Sequence, residues 1–345
     1  MEHKKLDLKA LSLDQLGVAV KEWGLPSFTA KQIWRWIYEK GETDINHMTD
    51  LSVEARRRLE QEVVIPELAI AQKFSSRDGT VKYLLQGYDG QAFESVYLPT
   101  RKESGEYNTV CVSTQVGCAV KCPFCATGQM GFSRNLRTAE IVDQIHVIEH
   151  DQHQVVRNVV LMGMGEPLLN YEETIEAVRI WREVKGLSWK RITLSTSGYL
   201  PGLQRLVEEK VPVRLALSLH APVNALRDIL VPLNKKYPLG TLLPLCKAYS
   251  EYSGSSVTFE YVLLKDVNDS LEMAEALVKL ASQVSCKINI IPWNAVGQTE
   301  YQRPGDAQMN AFVSALRQKG VLAHLRRERG SDIQAACGQL KLEHV

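Results

Sequence analysis

The stretch Cys118-Ala119-Val120-Lys121-Cys122-Pro123-Phe124-Cys125 carries three cysteines, with three and then two residues between them. It follows an apolar strand candidate, Val110–Ser113, so we expect the cysteines to lie on a loop at the carboxyl end of a strand. Three closely spaced thiolates on a loop can wrap one corner of a four-iron four-sulfur cube. The fourth iron then has no protein ligand and stays open to a substrate.

A structural zinc ion is the alternative interpretation of this stretch. Such an ion usually takes four protein ligands, and neither a nearby His nor a second Cys pair completes the set. Cys111 is the nearest further thiol, but it lies inside the predicted strand, seven residues upstream of Cys118. The spacing therefore favours the iron–sulfur cluster over zinc.

From about residue 108 onwards, apolar strand candidates alternate with amphipathic helices. The predicted strands are Val110–Ser113, Asn158–Met162, Arg191–Ser195, Val213–Leu219, Val257–Leu264 and Lys287–Trp293. The predicted helices lie near residues 138–150, 171–185, 200–209, 222–230, 270–283 and 306–319. Six strand–helix units predict an α/β fold with a parallel sheet, a partial (β/α)6 barrel rather than a closed eightfold one. In such folds the chemistry takes place at the carboxyl ends of the strands.

The first hundred residues predict a helical unit followed by a small antiparallel meander. Capping-box spacing at Ser12 and again at Thr29 predicts two helix starts, and a third helix is expected from Val53 to Glu62. Asp78-Gly79 and Asp89-Gly90 predict hairpin turns. We expect a helical RNA-binding accessory domain at 1–65, a β meander and linker at 66–107, the barrel at 108–328 and a C-terminal segment at 329–345.

Composition excludes several classes of protein. The amino terminus is polar with no apolar run behind it, and no stretch has the roughly 20 apolar residues of a spanning helix, so we expect a cytoplasmic protein. Seven cysteines in that compartment are reduced thiols rather than a disulfide framework. With 41 basic and 40 acidic residues, net charge indicates no partner. Short basic runs such as Arg326-Arg327 with Arg329 are interpreted as solvated faces.

Further motifs follow successive strand ends. They are Gln115-Val116-Gly117-Cys118, Met162-Gly163-Met164-Gly165-Glu166-Pro167, Leu194-Ser195-Thr196-Ser197-Gly198, Ser218-Leu219-His220-Ala221-Pro222, Asn289-Ile290-Ile291-Pro292-Trp293-Asn294 and Asp332-Ile333-Gln334-Ala335-Ala336-Cys337-Gly338-Gln339-Leu340. With the cysteine spacing, they resemble the RlmN/Cfr family of radical S-adenosylmethionine (SAM) RNA adenine methyltransferases over nearly the whole chain. Within that family they are closest to the RlmN branch, which acts on both 23S ribosomal RNA and transfer RNA.

The resemblance implies a set of cofactor ligands. A [4Fe–4S] cluster is expected on Cys118, Cys122 and Cys125, with SAM on its open iron. Glycine at 165 lets backbone approach a ligand, and the carboxylate of Glu166 can accept hydrogen bonds from the ammonium group of SAM. The remaining implied contacts to SAM are Ser195, Ser218, Leu219, His220 and Asn294. The alternative for each polar residue is a strand-end cap.

The resemblance also implies a methyl relay that consumes two SAM molecules per turnover. Cys337 takes a methyl group from the first SAM. The 5′-deoxyadenosyl radical formed from the second removes a hydrogen atom from that methyl, and the resulting carbon radical adds to the electron-poor C2 of adenine. Cys111 matches the thiol that resolves the adduct through a transient disulfide with Cys337. Glu94 matches the carboxylate that removes the proton at the reacting carbon, and the alternative for it is an exposed strand residue.

The implied substrate is an adenine in 23S ribosomal RNA, with the adenine 3′ to the anticodon in some transfer RNAs as a further target. Stacking of RNA on Trp34, Trp36 and Tyr38 is one role for these aromatics, and the core of the N-terminal unit is another. A flavodoxin- or ferredoxin-like electron donor and a monomeric chain are expected. One alternative is methylation at C8, because Cys125-Ala126-Thr127-Gly128 is similar to the antibiotic-resistance branch. The other is a non-enzymatic RNA-binding protein with a structural metal.

Overall fold

The computed structural model describes residues 5–99, 101–102, 105–106, 108–297 and 299–342. The N-terminal elements are the helices α1 (Leu13–Glu22), α2 (Phe28–Tyr38) and α3 (Val53–Glu62), and the short parallel strands β1 (Leu6–Asp7) and β2 (Val63–Val64). The capping box at Ser12 is confirmed, since its Oγ accepts from Gln15 N and its own N–H donates to Gln15 Oε1. A capping box at Thr29 is wrong. The turn already begins at Pro26, whose carbonyl accepts from Thr29 N, so Thr29 is a buried residue within α2.

The aromatic residues of α2 divide between the core and the surface. Trp34 and Tyr38 are buried, as expected for the core of this unit, whereas Trp36 is half-buried. Lys40 Nζ lies 3.2 Å from the centre of the Trp36 ring. Of these three aromatics only Trp36 is available to a partner, and Phe28 at the start of α2 is exposed as well.

The meander consists of β3 (Ala69–Ser75), β4 (Val81–Gln86) and β5 (Ala92–Leu98), paired antiparallel. Both predicted hairpin turns are confirmed, and Gly79 and Gly90 each have φ of +85°. Two short strands of two residues each, β6 (Arg101–Lys102) and β7 (Gly105–Glu106), follow and pair antiparallel. The meander does not form a sheet of its own, because β5 pairs with the first parallel strand.

All six predicted parallel strands are present, and a seventh is added. They are β8 (Asn108–Cys111), β11 (Val156–Leu161), β12 (Ile192–Thr196), β13 (Arg214–Ser218), β14 (Val257–Leu263), β15 (Cys286–Pro292) and β16 (Ala323–Leu325). They form one ten-stranded sheet with the meander, in the order β16-β15-β14-β13-β12-β11-β8-β5-β4-β3. In the described part of the chain its edge strands β3 and β16 do not pair, so the sheet is open, as a partial barrel requires.

Helices connect the parallel strands, and all six predicted helices are confirmed. The helices after the meander are α4 (Ala126–Met130), α5 (Thr138–Gln152), α6 (Tyr171–Glu183), α7 (Leu200–Glu208), α8 (Asn224–Leu230), α9 (Leu239–Ser253), α10 (Leu271–Ala281) and α11 (Asp306–Gln318). A further antiparallel pair, β9 (Gln115–Gly117) and β10 (Phe132–Asn135), flanks the cysteine loop. Short 3-10 helices cover Leu8–Ala10, Ile45–His47, Pro167–Asn170, Trp189–Arg191, Pro232–Lys235 and Ser331–Ile333.

The sheet is the centre of the core. Every residue of β14 is buried, which is typical of a parallel strand covered on both faces. Among the described residues, no helix has the length and apolar character needed to cross a membrane.

Candidate active site

The carboxyl ends of the parallel strands surround a cleft. Its volume is about 950 Å³, which includes the open space at its mouth. Met162, Ser195, Ser218 and Pro292 each come from the end of, or just after, a different strand and line this cleft, as does Glu260 from the middle of β14. The three cysteines of the loop after β9 also line it. We call this the first cavity.

The cysteine loop is held by its own backbone and by β15. The N–H of Cys118 donates to Gly131 O (2.7 Å), and the N–H of Cys125 donates to Cys122 O (3.2 Å). Lys121 has φ of +60°, so the chain reverses between the first two cysteines. Trp293 Nε1 donates to Phe124 O (3.1 Å) and fixes the loop to the end of β15. The loop therefore faces the strand ends rather than solvent.

The three thiols are partly exposed in the first cavity. Burial raises the pKa of Cys118 to about 12 and raises the pKa of Cys122 and Cys125 as well, so as free thiols they are protonated at neutral pH. Such thiols become thiolates when a metal centre replaces the proton.

Gly165 and Glu166 turn the chain at the end of β11. Gly165 has φ of +105°, and a Cβ there would lie 2.7 Å from the Cβ of Gln115. The buried Glu166 carboxylate accepts from Leu168 N (3.1 Å) and Thr196 Oγ1 (2.6 Å) at Oε1, and from Ser197 N (2.7 Å) at Oε2. The side chain of Ser197 is a further hydrogen-bonding partner of this carboxylate. Glu166 therefore caps the strand ends of the first cavity, which it also lines.

Four of the other predicted SAM contacts line the first cavity, and one does not. Ser195, Ser218, His220 and Asn294 all line the first cavity, and the hydroxyls of the two serines are 3.2 Å apart. His220 accepts from Val262 N at Nδ1 (3.1 Å), and burial together with Arg227 lowers its pKa to about 3, so its ring is neutral. Leu219 is fully buried and is not among the lining residues.

Cys337 lies in a turn of the C-terminal segment that is anchored on the cysteine loop. Ala126 N donates to Gly338 O (2.8 Å), and Thr127 Oγ1 donates to Leu340 O (2.7 Å). Within the turn, Gln339 N donates to Ala336 O (3.0 Å). The segment is thus held against the first turn of α4, immediately after the third cysteine of the loop.

Cys337 also lines a second cavity of about 850 Å³. This second cavity contains Cys111, at the end of β8, together with Val96 and Leu98 from β5. Cys337, Asn294 and Arg326 line both cavities. Cys125 of the cysteine loop lines both cavities as well, so the two cavities adjoin and Cys337 lies on the wall that they share. Both thiols are free, and burial raises the pKa of Cys111 to about 12.

Glu94 is buried on β5, so its interpretation as an exposed strand residue is wrong. Its Oε1 is 3.0 Å from Lys82 Nζ, and its Oε2 accepts from Lys341 N (2.9 Å). Glu94 does not itself line either cavity, but Val96, two residues along the same face of β5, lines the second one.

Glu260 and Arg326 line the first cavity and were not predicted from sequence as site residues. The interpretation of Arg326 as part of a solvated basic run is wrong, because it is half-buried and lines both cavities. Its Nη1 is 3.9 Å from Oε2 of the buried Glu260. Negative charge at Cys337, and also at Glu260 and Cys111, raises the pKa of Arg326. Its position at the end of β16 was the available signal, but β16 itself was not predicted.

The chain is similar to known proteins over its whole length. Residues 112–280 match the family described as the radical SAM superfamily, and residues 6–65 match the ribosomal RNA large subunit methyltransferase N-terminal domain. A radical SAM methyltransferase from Sphaerobacter thermophilus, solved by crystallography, is 41% identical with a TM-score of 0.89 and covers 98% of this chain and 100% of its own. This chain belongs to the RlmN/Cfr family of radical SAM methyltransferases.

More distant solved structures are similar in part. SuiB of Streptococcus suis bound to S-adenosylmethionine is 17% identical with a TM-score of 0.48, over 66% of this chain and 55% of its own. The hydrogenase maturase HydG of Carboxydothermus hydrogenoformans is 18% identical with a TM-score of 0.49, over 64% of this chain and 54% of its own.

Membership of the RlmN/Cfr family implies a [4Fe–4S] cluster and SAM as cofactors. The donor set agrees with the cluster, because Cys118, Cys122 and Cys125 line one cavity and thiolates are the usual ligands of such clusters. The fold of this RlmN/Cfr methyltransferase is the α/β partial barrel, to which the N-terminal domain is attached.

Proposed function

We propose that this methyltransferase methylates C2 of an adenine in 23S ribosomal RNA, and the adenine 3′ to the anticodon of some transfer RNAs, through a methyl group carried on Cys337. The observation that carries the proposal is the position of Cys337, which lines both the cavity of the cysteine loop and the cavity that holds Cys111. A residue that transfers a group between two reactants has to reach both of them.

Cys118, Cys122 and Cys125 would hold the cluster, and Gly165, Glu166, Ser195, Ser218, His220 and Asn294 would surround SAM in the first cavity. When bound, these cofactors supply a methyl group and, on one-electron reduction, a radical able to remove a hydrogen atom. Leu219 would shape this site through its backbone, since its N–H donates to Glu260 O (2.9 Å). The Glu166 carboxylate is the proposed acceptor for the ammonium group of SAM.

The second cavity is the proposed place of the adenine. Val96 and Leu98 offer apolar surface to a base, and Arg326, Arg327 and Arg329 bring positive charge to the same cavity, which suits a polyanion. A base in this cavity would contact Cys337 and Cys111 together, as a relay and its release require.

Cys111 is the proposed resolving thiol. Its sulfur would bond to the sulfur of Cys337 while the bond from that sulfur to the transferred carbon breaks; the electron pair would stay with the carbon, which takes up a proton to become the product methyl, and an external reductant would reopen the disulfide. Because burial holds the pKa of Cys111 high, it needs a base or a nearby cation to act as a thiolate. Of the three arginines that line the same cavity, Arg326 is the one whose charge lowers the pKa of Cys111.

Glu94 is the proposed proton acceptor at the reacting carbon. Its carboxylate is paired with Lys82 and bonded to Lys341 N behind Leu340, which lines the second cavity. Reaching the base from there requires the C-terminal segment around Leu340 to shift when RNA binds. We propose a flavodoxin- or ferredoxin-like electron donor, a monomeric chain, and the division into units at 1–65, 66–107, 108–328 and 329–345.

The test is mass spectrometry of ribosomal and transfer RNA from a host that lacks its own family member, with and without this gene. Appearance of 2-methyladenosine supports the proposal, and Cys337→Ala is the negative control. Appearance of 8-methyladenosine would keep the relay but contradict the C2 assignment. Neither product, from protein with full cluster occupancy, would overturn the RNA substrate.

A further inference from the structure

Arg227, on α8, is a fully buried arginine with no exposed surface. Its guanidinium donates to three backbone carbonyls at strand ends and to one amide. These acceptors are Leu219 O (3.0 Å), Ser218 O (3.1 Å), Ser197 O (2.8 Å) and Asn234 Oδ1 (2.8 Å). None of the four carries a charge, so the positive charge has no ion-pair partner among its hydrogen-bonding neighbours.

A buried cation without a counter-charge is costly, and such groups persist where another charge compensates them. Asn234, which accepts from Arg227, donates in turn to Asp228 Oδ1 (2.6 Å), so this carboxylate is linked to the guanidinium only through an amide. Asp228 is half-exposed, so water screens part of its attraction to Arg227. It therefore compensates the buried charge only in part.

We look for the charge that compensates Arg227 in the first cavity, beyond the strand-end residues that Arg227 contacts. Ser197 and Ser218, whose carbonyls bind Arg227, line the first cavity together with Cys122. Burial lowers the pKa of Arg227 to about 10, so Arg227 stays protonated at neutral pH. It lies one hydrogen bond behind Ser197 and Ser218, which line the first cavity.

We infer that Arg227 is the counter-charge of the iron–sulfur cluster and that it makes the cluster easier to reduce. Three thiolates outweigh the charge of the oxidised core, and reduction by one electron adds a further negative charge without making or breaking a bond. A fixed positive charge behind the wall stabilises the reduced form more than the oxidised form. Arg227 is a positioning residue, because it touches neither substrate nor cofactor and acts through the strand-end carbonyls and its field.

The inference rests on the cluster and is independent of which base is methylated. It is tested on reconstituted full-length protein without RNA, by titrating the cluster with dithionite and following its electron paramagnetic resonance signal. We expect Arg227→Gln to lower the ratio of reduced to oxidised cluster about tenfold at a given potential, which is a shift of about 59 mV to more negative values. Arg227→Lys, which keeps the charge, is expected to stay close to the wild type.

Asn268 provides the matched control. It is also fully buried and also holds strand-end carbonyls, those of His220 (2.8 Å) and Val262 (2.7 Å), but its side chain is neutral. Asn268→Ala is expected to leave the potential unchanged. An equal shift in Asn268→Ala and Arg227→Gln, or an unchanged potential in Arg227→Gln with full iron content, would overturn the inference.

If Arg227→Gln assembles no cluster, the inference is tested instead by the reduction potential of Asp228→Asn. This variant can still accept from Asn234 Nδ2 but removes the charge that screens Arg227. We expect its potential to move to less negative values. An unchanged or more negative potential in Asp228→Asn would overturn the inference. The readout is the potential and not methylation, because a cluster that is harder to reduce would itself lower turnover.

Discussion

Replacing Gly165 by Ala tests how closely the backbone of the site must approach its neighbours. At φ of +105° an L-residue is strained, which costs about 1–3 kcal/mol. The added Cβ would also lie 2.7 Å from Gln115 Cβ and Cγ and 2.8 Å from its backbone N. Gln115 cannot move freely, because its N–H donates to Met164 O (3.2 Å) and its Oε1 accepts from Glu166 N (2.9 Å). Overpacking of this kind costs about another 1–3 kcal/mol.

We therefore expect Gly165→Ala to lower the free energy of unfolding by about 2–6 kcal/mol, measured by urea denaturation. Gly186→Ala is the matched control, because Gly186 has φ of +71° and a Cβ there meets nothing within 4 Å. It should lose only about 1–2 kcal/mol from strain. Equal losses in the two variants would refute the argument from close approach.

The same substitution should weaken SAM binding. Any shift of Gln115 weakens the hydrogen bond from Glu166 N to Gln115 Oε1. The carboxylate of Glu166 is the proposed partner of the SAM ammonium. Loss of one hydrogen bond to a charged group costs about 1.5–3 kcal/mol, which is roughly a 10- to 150-fold weaker affinity. Equilibrium dialysis with labelled SAM on cluster-loaded protein measures it, and unchanged affinity in folded Gly165→Ala would contradict the role of this turn.

Two further predictions follow from buried groups. Lys9→Met, which leaves the buried Asp143 with Tyr88 and His146 but no lysine, should cost about 3–5 kcal/mol of unfolding free energy in urea. Burial alone would raise the pKa of Asp143, but Lys9 and His146 lower it. The contribution of this carboxylate is therefore present above the unfolded pKa of about 4 and disappears as pH falls through the lower folded pKa. A difference in unfolding free energy between wild type and Lys9→Met that does not decrease in acid would contradict this. In Cys111→Ala, Cys337 should still take up the methyl group and react with RNA. The protein–RNA adduct should then accumulate and be visible as a shifted band on a denaturing gel. Normal turnover without an adduct would exclude Cys111 as the resolving thiol.

The sequence predicted elements well where periodicity decides them. The six parallel strands and their helices were predicted because buried parallel strands are continuous apolar runs. Helix α9 was missed because Gly240 and Pro244 interrupt its pattern, although Leu242, Cys246 and Tyr249 give it a buried face. The strand β16 was missed because it is only three residues long.

Within the site, the sequence revealed the thiols and the acceptors but not the cations. Short cysteine spacing and strand-end polar residues leave a local signature, whereas the burial of an arginine is decided by tertiary contacts. Arg227 donates to carbonyls eight, nine and thirty residues before it, and Arg326 meets Glu260 from a strand two positions away in the sheet. Glu94 was expected from the family pattern, but its pairing with Lys82 depends on cross-strand register.

The most direct test of the methyl relay is peptide mass spectrometry of the reconstituted enzyme after incubation with SAM carrying a trideuterated methyl group and a reductant. The account predicts one trideuterated methyl on Cys337, none on Cys111, and its loss when RNA substrate is added. Label on another cysteine, or label that reaches RNA in Cys337→Ala, would contradict the relay through Cys337.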